Sequence, residues 1–228
     1  MPVIRINPRW GAQIEGLAED IAELEWALSN SSQFEDDFTI ARIEEVPILV
    51  STRWDDIETA PEVEARARSA LTLLVGAVNL LYGSRSLNVG TIYEFHPDGK
   101  FTMSRMTTFE LLVKQQKNKR PSATKFRNVV DLSEEQEWLS SCLTLLGGPK
   151  SWFEAYMVIE AIEDYCGSEQ KMRASKIFDG AKLKKAKQMA NSMRHLDNKK
   201  HQPPSTKIEL EEVWTVLKSS INSIINQM

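Results

Sequence analysis

Residues 87–106 read LNVGTIYEFHPDGKFTMSRM. Leu87 to Phe95 and Phe101 to Met106 alternate on either side of His96-Pro-Asp-Gly99. Alternation with period two is a strand signal, and Pro, Asp and Gly supply turn geometry, so this stretch predicts a β-hairpin. His96 reads as a residue of that turn. The hairpin puts a sheet in the chain, and the segments around it decide how much more of one there is.

Upstream, Thr59-Ala-Pro-Glu62 is a helix start: Thr59 can accept from the Glu62 amide while Glu62 reaches back, and Pro61 suits the first turn. Val63, Ala67, Leu71, Leu74, Val78 and Leu81 continue it at helical spacing, and Gly83 is its expected stop. The apolar stripe is wide, which predicts a helix lying under a sheet. Phe38 to Ser51 is rich in Ile and Val and predicts one or two strands, with an edge or bulge at Pro47. Ile14, Leu17, Ile21, Leu24 and Leu28 recur at three and four residues, which predicts an amphipathic helix over Trp10–Leu28. Val3 to Ile6 alternates like a short strand.

Downstream, the Lys/Arg-rich segment Lys114–Arg127, with Pro121 inside it, predicts a loop or exposed strand, and its cations a solvated loop or a second phosphate-binding arm. From Ser133 onward only helices are expected. Ser133-Glu-Glu-Gln136 reads as a capping box leading into Trp138, Leu139, Cys142, Leu145 and Leu146, stopped at Gly147-Gly148-Pro149. A second helix runs Trp152–Cys166 and ends at Gly167. A third, about Ala181 to Met193, places Leu183, Ala186, Met189, Ala190 and Met193 on one face. After Pro203 and Pro204, Thr206 to Glu209 caps a last helix carrying Leu210, Val213, Trp214, Leu217, Ile221, Ile224 and Ile225. The fold class expected is therefore α+β: a mixed part with a small sheet over residues 1–130, then an antiparallel four-helix bundle over 131–228.

The composition suits such a fold. The chain has 228 residues, 42% hydrophobic and 26% charged, with a net charge of -4; that is too apolar for a disordered chain. MPVIRINPRW has no apolar h-region or cleavage site, and the most apolar stretch, Ala70–Tyr82, is shorter than the roughly 20 residues of a membrane span. A cytoplasmic chain without membrane contact is expected, with Cys142 and Cys166 as two buried free thiols in preference to one disulfide. No P-loop, dinucleotide fingerprint, nucleophile elbow or zinc pattern occurs in the sequence, and no cofactor or metal is called for.

The charge is uneven. Lys171, Arg173, Lys176, Lys182, Lys184, Lys185, Lys187, Arg194, Lys199 and Lys200 crowd one region, opposed there only by Asp179 and Asp197. Such an excess suits phosphate, and it also suits a plain solvated helix face. Within it lies Arg194-His-Leu-Asp-Asn-Lys-Lys-His201, holding two of the chain's three histidines. Histidine moves protons near neutral pH, and arginine grips phosphate and stabilises growing negative charge. Together they suffice for metal-independent RNA cleavage: a base takes the 2′-hydroxyl proton, an acid protonates the leaving oxygen, a cation stabilises the pentavalent phosphate. The bland readings are equally physical. Arg194 suits a helix C-terminus through the dipole, and His201, just before two prolines, suits an exposed loop.

A helical bundle with Arg, four to six residues, then His, just before the last long helix, resembles a HEPN domain over roughly residues 132–228. In that family the residue after the arginine is commonly polar, here His195. The resemblance implies a ribonuclease of toxin or defence type, dimerising through the helical domain so that two motifs face one cleft. It implies that Arg194 contacts the scissile phosphate, that His201 is acid or base, and that His195 orients them. Asn191, three residues before Arg194, is placed to bond backbone or ribose, and Lys184, Lys185, Lys187, Lys199 and Lys200 to meet the RNA backbone. Glu160, on the apolar stripe of its helix, wants a partner for which Arg194 is a candidate. The family also includes inactive binding modules, so the alternative is a non-catalytic nucleic-acid-binding or protein-interaction module, perhaps one partner of a defence pair.

Overall fold

The computed structural model describes residues 8–30, 38–83, 86–105, 123–194, 202–205 and 208–228. It is mixed α+β, and the chain divides into two compact units, Met1–Val130 and Asp131–Met228.

The first unit is built on an antiparallel sheet. Its strands are β1 (Trp10–Gly16), β2 (Thr39–Ile43), β3 (Val46–Val50), β4 (Leu87–Phe95) and β5 (Phe101–Ser104), in the order β2-β3-β1-β4-β5. Helix α1 (Ala18–Ser29) follows β1, and α2 (Ala60–Tyr82) follows β3. The order β-α-β-β-α-β with β1 central is the split β-α-β arrangement, extended here by β5.

β1 corrects the sequence reading. The predicted helix over Trp10–Leu28 is two elements, a strand and then α1. Trp10, Ala12 and Ile14 are buried at every second position, the strand period, and the three-and-four spacing sets in only beyond Gly16. Gly11 lets β1 pack closely against its neighbours β3 and β4. A Cβ there would stand 2.5 Å from Ile48 Cγ2 and 3.0 Å from Phe95 Cε2, so only glycine allows this approach.

The region Phe38–Ser51 forms a hairpin of β2 and β3. Its two-residue turn holds Glu44 (φ 47°) and Glu45 (φ 70°) in the left-handed region, as a turn matching strand twist requires. Pro47 pairs with Arg42 on β2 and lies one residue before the Gln13–Ile48 pair where the ladder to β1 begins, so its missing N–H breaks no bond to the central strand.

The predicted hairpin over 87–106 is present as β4 and β5. His96 opens its turn, Gly99 takes φ 82°, and Asp98 accepts from the Lys100 amide at 3.0 Å. α2 starts after Thr59 and ends before Gly83 as expected, although the Thr59 side chain makes no cap bond.

Both helices cover one sheet face. α1 packs on β1 and β2, α2 on β4 and β1, and the two touch each other. Arg42 on β2 binds Glu25 on α1 at 2.7 Å, which marks the face shared by Arg42, Ile40, Leu49 and Ala12 as the helix side. The other face holds a second cluster of Ala41, Ile48, Val50 and Tyr93.

In the chain beyond the sheet, α3 spans Ala123–Glu135. This overturns the second capping box. Ser133 is buried inside α3, and the next helix starts later, behind Gln136. It also makes the end of the predicted loop Lys114–Arg127 helical from Ala123; residues 106–122 lie outside the described residues.

The second unit contains α4 (Glu137–Gly147), α5 (Trp152–Cys166), α6 (Glu169–Ala174), α7 (Gly180–Arg194) and α8 (Leu210–Ile225). α5 is its hub and packs on α4, α6, α7 and α8, while α7 also packs on α6 and α8. Leu139, Leu143, Val158, Ile159, Ile162, Leu183, Leu217 and Ile221 are each 0% exposed and form the core. α5 has the predicted bounds, ending at Gly167 in the left-handed conformation. Its start is fixed by Ser151, whose Oγ accepts from the Phe153 amide at 3.1 Å and whose hydroxyl donates to Glu154. α6 is an addition to the expected helices, and α8 begins behind Glu209, with Thr206 outside the described residues. Among the described residues no helix is long and apolar enough to cross a membrane.

Candidate functional site

α7 is the element that carries the candidate site. Asp179 starts it: its carboxylate accepts from the Lys182 amide at 3.0 Å, and its carbonyl takes the Leu183 amide at 3.1 Å. Leu183, Ala186 and Ala190 are 0% exposed, so α7 seats a narrow apolar stripe against the core. Met193, expected on that stripe, is instead 56% exposed. The buried stripe thus ends about a turn before Arg194, the last residue of α7.

The predicted RNA-contacting lysines divide into two groups. Lys184 and Lys185 are exposed, with no ion-pair partner among the described residues. Lys182 is exposed as well and lies 3.8 Å from Asp179. Arg173 on α6 pairs with Glu169 at 3.4 Å, while Lys171 and Lys176 are exposed. These side chains give α6 and α7 a solvent side rich in ammonium groups, where a polyanion meets little desolvation cost.

Lys187 belongs to the other group. Its Nζ donates to both oxygens of Glu163 on α5, at 2.8 and 2.6 Å, and lies 3.6 Å from Glu169 on α6. It also sits 5.8 Å from the centre of the Tyr156 ring. The side chains of Lys187 and Glu163 are only 19% and 12% exposed. Burial works to lower the Lys187 ammonium, but the hydrogen bond to Glu163 and the charges of Glu163 and Glu169 outweigh it and hold its pKa above the ordinary 10.5.

Glu163 is the carboxylate that sequence reasoning missed. Glu160, the acid expected on the apolar stripe of α5, is half-buried, one turn away. A signal was available: Tyr156 and Glu163 are seven residues apart, on the stripe that Glu160 shares. Asn191 is half-buried on α7, one turn beyond Lys187. His195, Lys199, Lys200 and His201 lie outside the described residues, as does the side chain of Arg194.

Elsewhere, Cys142 and Cys166 are free thiols, and burial pushes Cys142 up to about 12. Among the described residues no three His, Cys, Asp or Glu side chains gather closely enough to hold a metal ion. No protein-family model, no curated protein and no solved structure matches the chain.

Proposed function

We propose that the helical unit is a HEPN-like bundle that binds RNA along the basic side of α7 and cleaves it through Arg194 and His201. The observation that carries this reading is the form of α7 itself. It turns Lys182, Lys184 and Lys185 to solvent and runs to Arg194, where the Arg-His…His motif begins. Exposed ammonium groups supply sequence-independent affinity for a phosphate backbone.

The chemistry proposed is transesterification. An imidazole takes the proton of the ribose 2′-hydroxyl, whose oxygen then attacks the adjacent phosphorus. The bond from phosphorus to the 5′-oxygen breaks, a protonated imidazole gives that oxygen its proton, and a 2′,3′-cyclic phosphate remains. Arg194 stabilises the charge on the pentavalent phosphate. His201 is the acid or base, and His195 orients the pair. A homodimer joined through the helical unit would bring two motifs to one cleft and so provide both proton-transfer groups.

The test is incubation of purified protein with a mixed RNA pool in EDTA, beside Arg194→Ala and His201→Ala. The expected outcome is cleavage leaving cyclic phosphate ends, slowed by each variant on the order of 10²-fold or more. Cleavage at the wild-type rate by both variants sinks the assignment. A second reading is a nucleic-acid-binding module without chemistry, and Lys184 and Lys185, exposed and without an ion-pair partner among the described residues, favour it independently of the motif. Salt-dependent RNA binding without cleavage selects it. A co-purifying protein partner and no RNA binding at all would select a protein-interaction module instead.

A further inference from the structure

Lys187 shares its stretch of sequence with Lys184 and Lys185 but not their surroundings. Its ammonium is held by Glu163 at 2.6 and 2.8 Å, faced by Glu169 at 3.6 Å and set beside Tyr156. To reach a phosphate it would have to leave this cage and abandon two carboxylates on the same surface, where they would repel the RNA. One cation therefore ties together three elements, α5, α6 and α7.

The tie sits where apolar fastening is thin. Beyond Lys187 the buried residues of α7 are Met189, Ala190 and Ser192, one long side chain and two small ones, and Met193 is 56% exposed. An alanine buries little area, so it does little to fix the rotation of a helix. Positions 187, 191 and 194 recur at four and three residues, which is one helical stripe. The ion pair that fixes the rotation of α7 at Lys187 thereby fixes the stripe that ends at Arg194.

We infer that Lys187 is a positioning residue, locked by Glu163 to orient the C-terminal turn of α7, and not a phosphate contact. The functional readout of this inference rests on the RNA reading above; its structural readout does not.

Two variants with opposite charge changes decide it. Lys187→Met removes a positive charge and keeps the aliphatic stem. Glu163→Gln removes a negative charge and keeps the shape. If Lys187 acted on RNA by its charge, the first would weaken RNA binding and the second would strengthen it. As a positioning pair, both variants fail in the same direction. Hydrogen exchange of amides 188–194 is expected to accelerate in both, and by more than that of α4, which shares only the overall loss of stability. Cleavage turnover is expected to fall about tenfold in both, a loss of roughly 1.4 kcal/mol, with RNA affinity and its salt slope unchanged.

Unchanged exchange over 188–194 in both variants overturns the inference. So does weaker binding by Lys187→Met with a salt slope reduced by about 0.7, the loss of one single-strand phosphate contact, alongside tighter binding by Glu163→Gln. Should the wild-type chain neither bind nor cleave RNA, the RNA reading alone fails, and the exchange data still decide the role of Lys187.

Discussion

The two units use their cations differently. In the sheet unit, three partly exposed arginines are held by glutamates: Arg9 by Glu94 at 2.8 Å, Arg42 by Glu25 at 2.7 Å, Arg68 by Glu64 at 2.7 Å. The first joins the chain ahead of β1 to β4, the second joins a strand to α1, and the third braces α2. On α7 of the helical unit, Lys184 and Lys185 are left to solvent while Lys187 is committed inward, and elsewhere in that unit Lys150 pairs with Glu211 at 3.2 Å. Long-range partners fix side chains in place, and free ones remain available to a ligand. A function assigned to α7 rests on this contrast.

The largest effect belongs to the sheet. Leu49 is 0% exposed and pairs with Ala12 on the central strand. Leu49→Ala should cost about 2–5 kcal/mol through lost burial and the cavity left behind. Native-state hydrogen exchange should show that loss in β1, β3 and β4, while α4 and α5 keep their protection. An equal loss in α4 and α5 would show one cooperative structure and dissolve the comparison.

Next comes the committed lysine. Breaking the Lys187–Glu163 pair by Lys187→Met should cost about 1–3 kcal/mol, less than a fully buried pair because both groups keep some solvent contact. The pH dependence has a fixed sign. The folded-state pKa of Lys187 is raised above 10.5, so its contribution is fully present at lower pH and is lost as pH rises through the folded value. Wild type and Lys187→Met should therefore differ in urea midpoint at pH 7 and converge in strongly alkaline buffer. A gap that persists there would trace the loss to packing of the stem instead of to charge.

The same contrast explains which features were legible in the sequence. α2, α5 and the hairpin of β4 and β5 combine a clear period with a definite stop, at Gly83, Gly167 and Gly99, and each was readable. β1 was not, because its short alternation runs directly into the helical spacing of α1, and Ile14 fits both patterns. Ser133 was misleading: a serine three residues before a glutamine suits a cap, but Val129 and Val130 carry the helical stripe of α3 up to it. α6, with six residues, is too short for any period to show. Of the candidate site, the exposed lysines of α7 were legible as a charge excess. The fate of Lys187 was not, since it depends on Glu163 and Glu169, 24 and 18 positions earlier in the chain.

A smaller effect separates two helix starts that look alike in sequence. Ser151 accepts from the Phe153 amide at 3.1 Å, whereas Thr59 makes no side-chain cap bond. Ser151→Ala should cost about 1 kcal/mol, and Thr59→Ala clearly less, in matched urea titrations. Equal costs would mean that Thr59 caps α2 in solution, and that the sheet unit uses its polar ends as the helical unit does.

The smallest stability effect is expected where the functional effect is widest. Lys184→Ala and Lys185→Ala remove exposed side chains without ion-pair partners among the described residues, so each should change stability by less than about 0.5 kcal/mol. Alanine is also a good helix former, which further limits the change. If these two ammonium groups meet phosphate, each variant should lower the salt slope of RNA binding by about 0.7, and the double variant by about twice that. Charge removed from a free surface is the one change here that leaves the fold indifferent and the ligand affected. A double variant that binds RNA with the wild-type slope would mean that α7's solvent face is only solvated. Its lysines would then differ from the arginines of the sheet unit in lacking partners, with nothing of function attached to the difference.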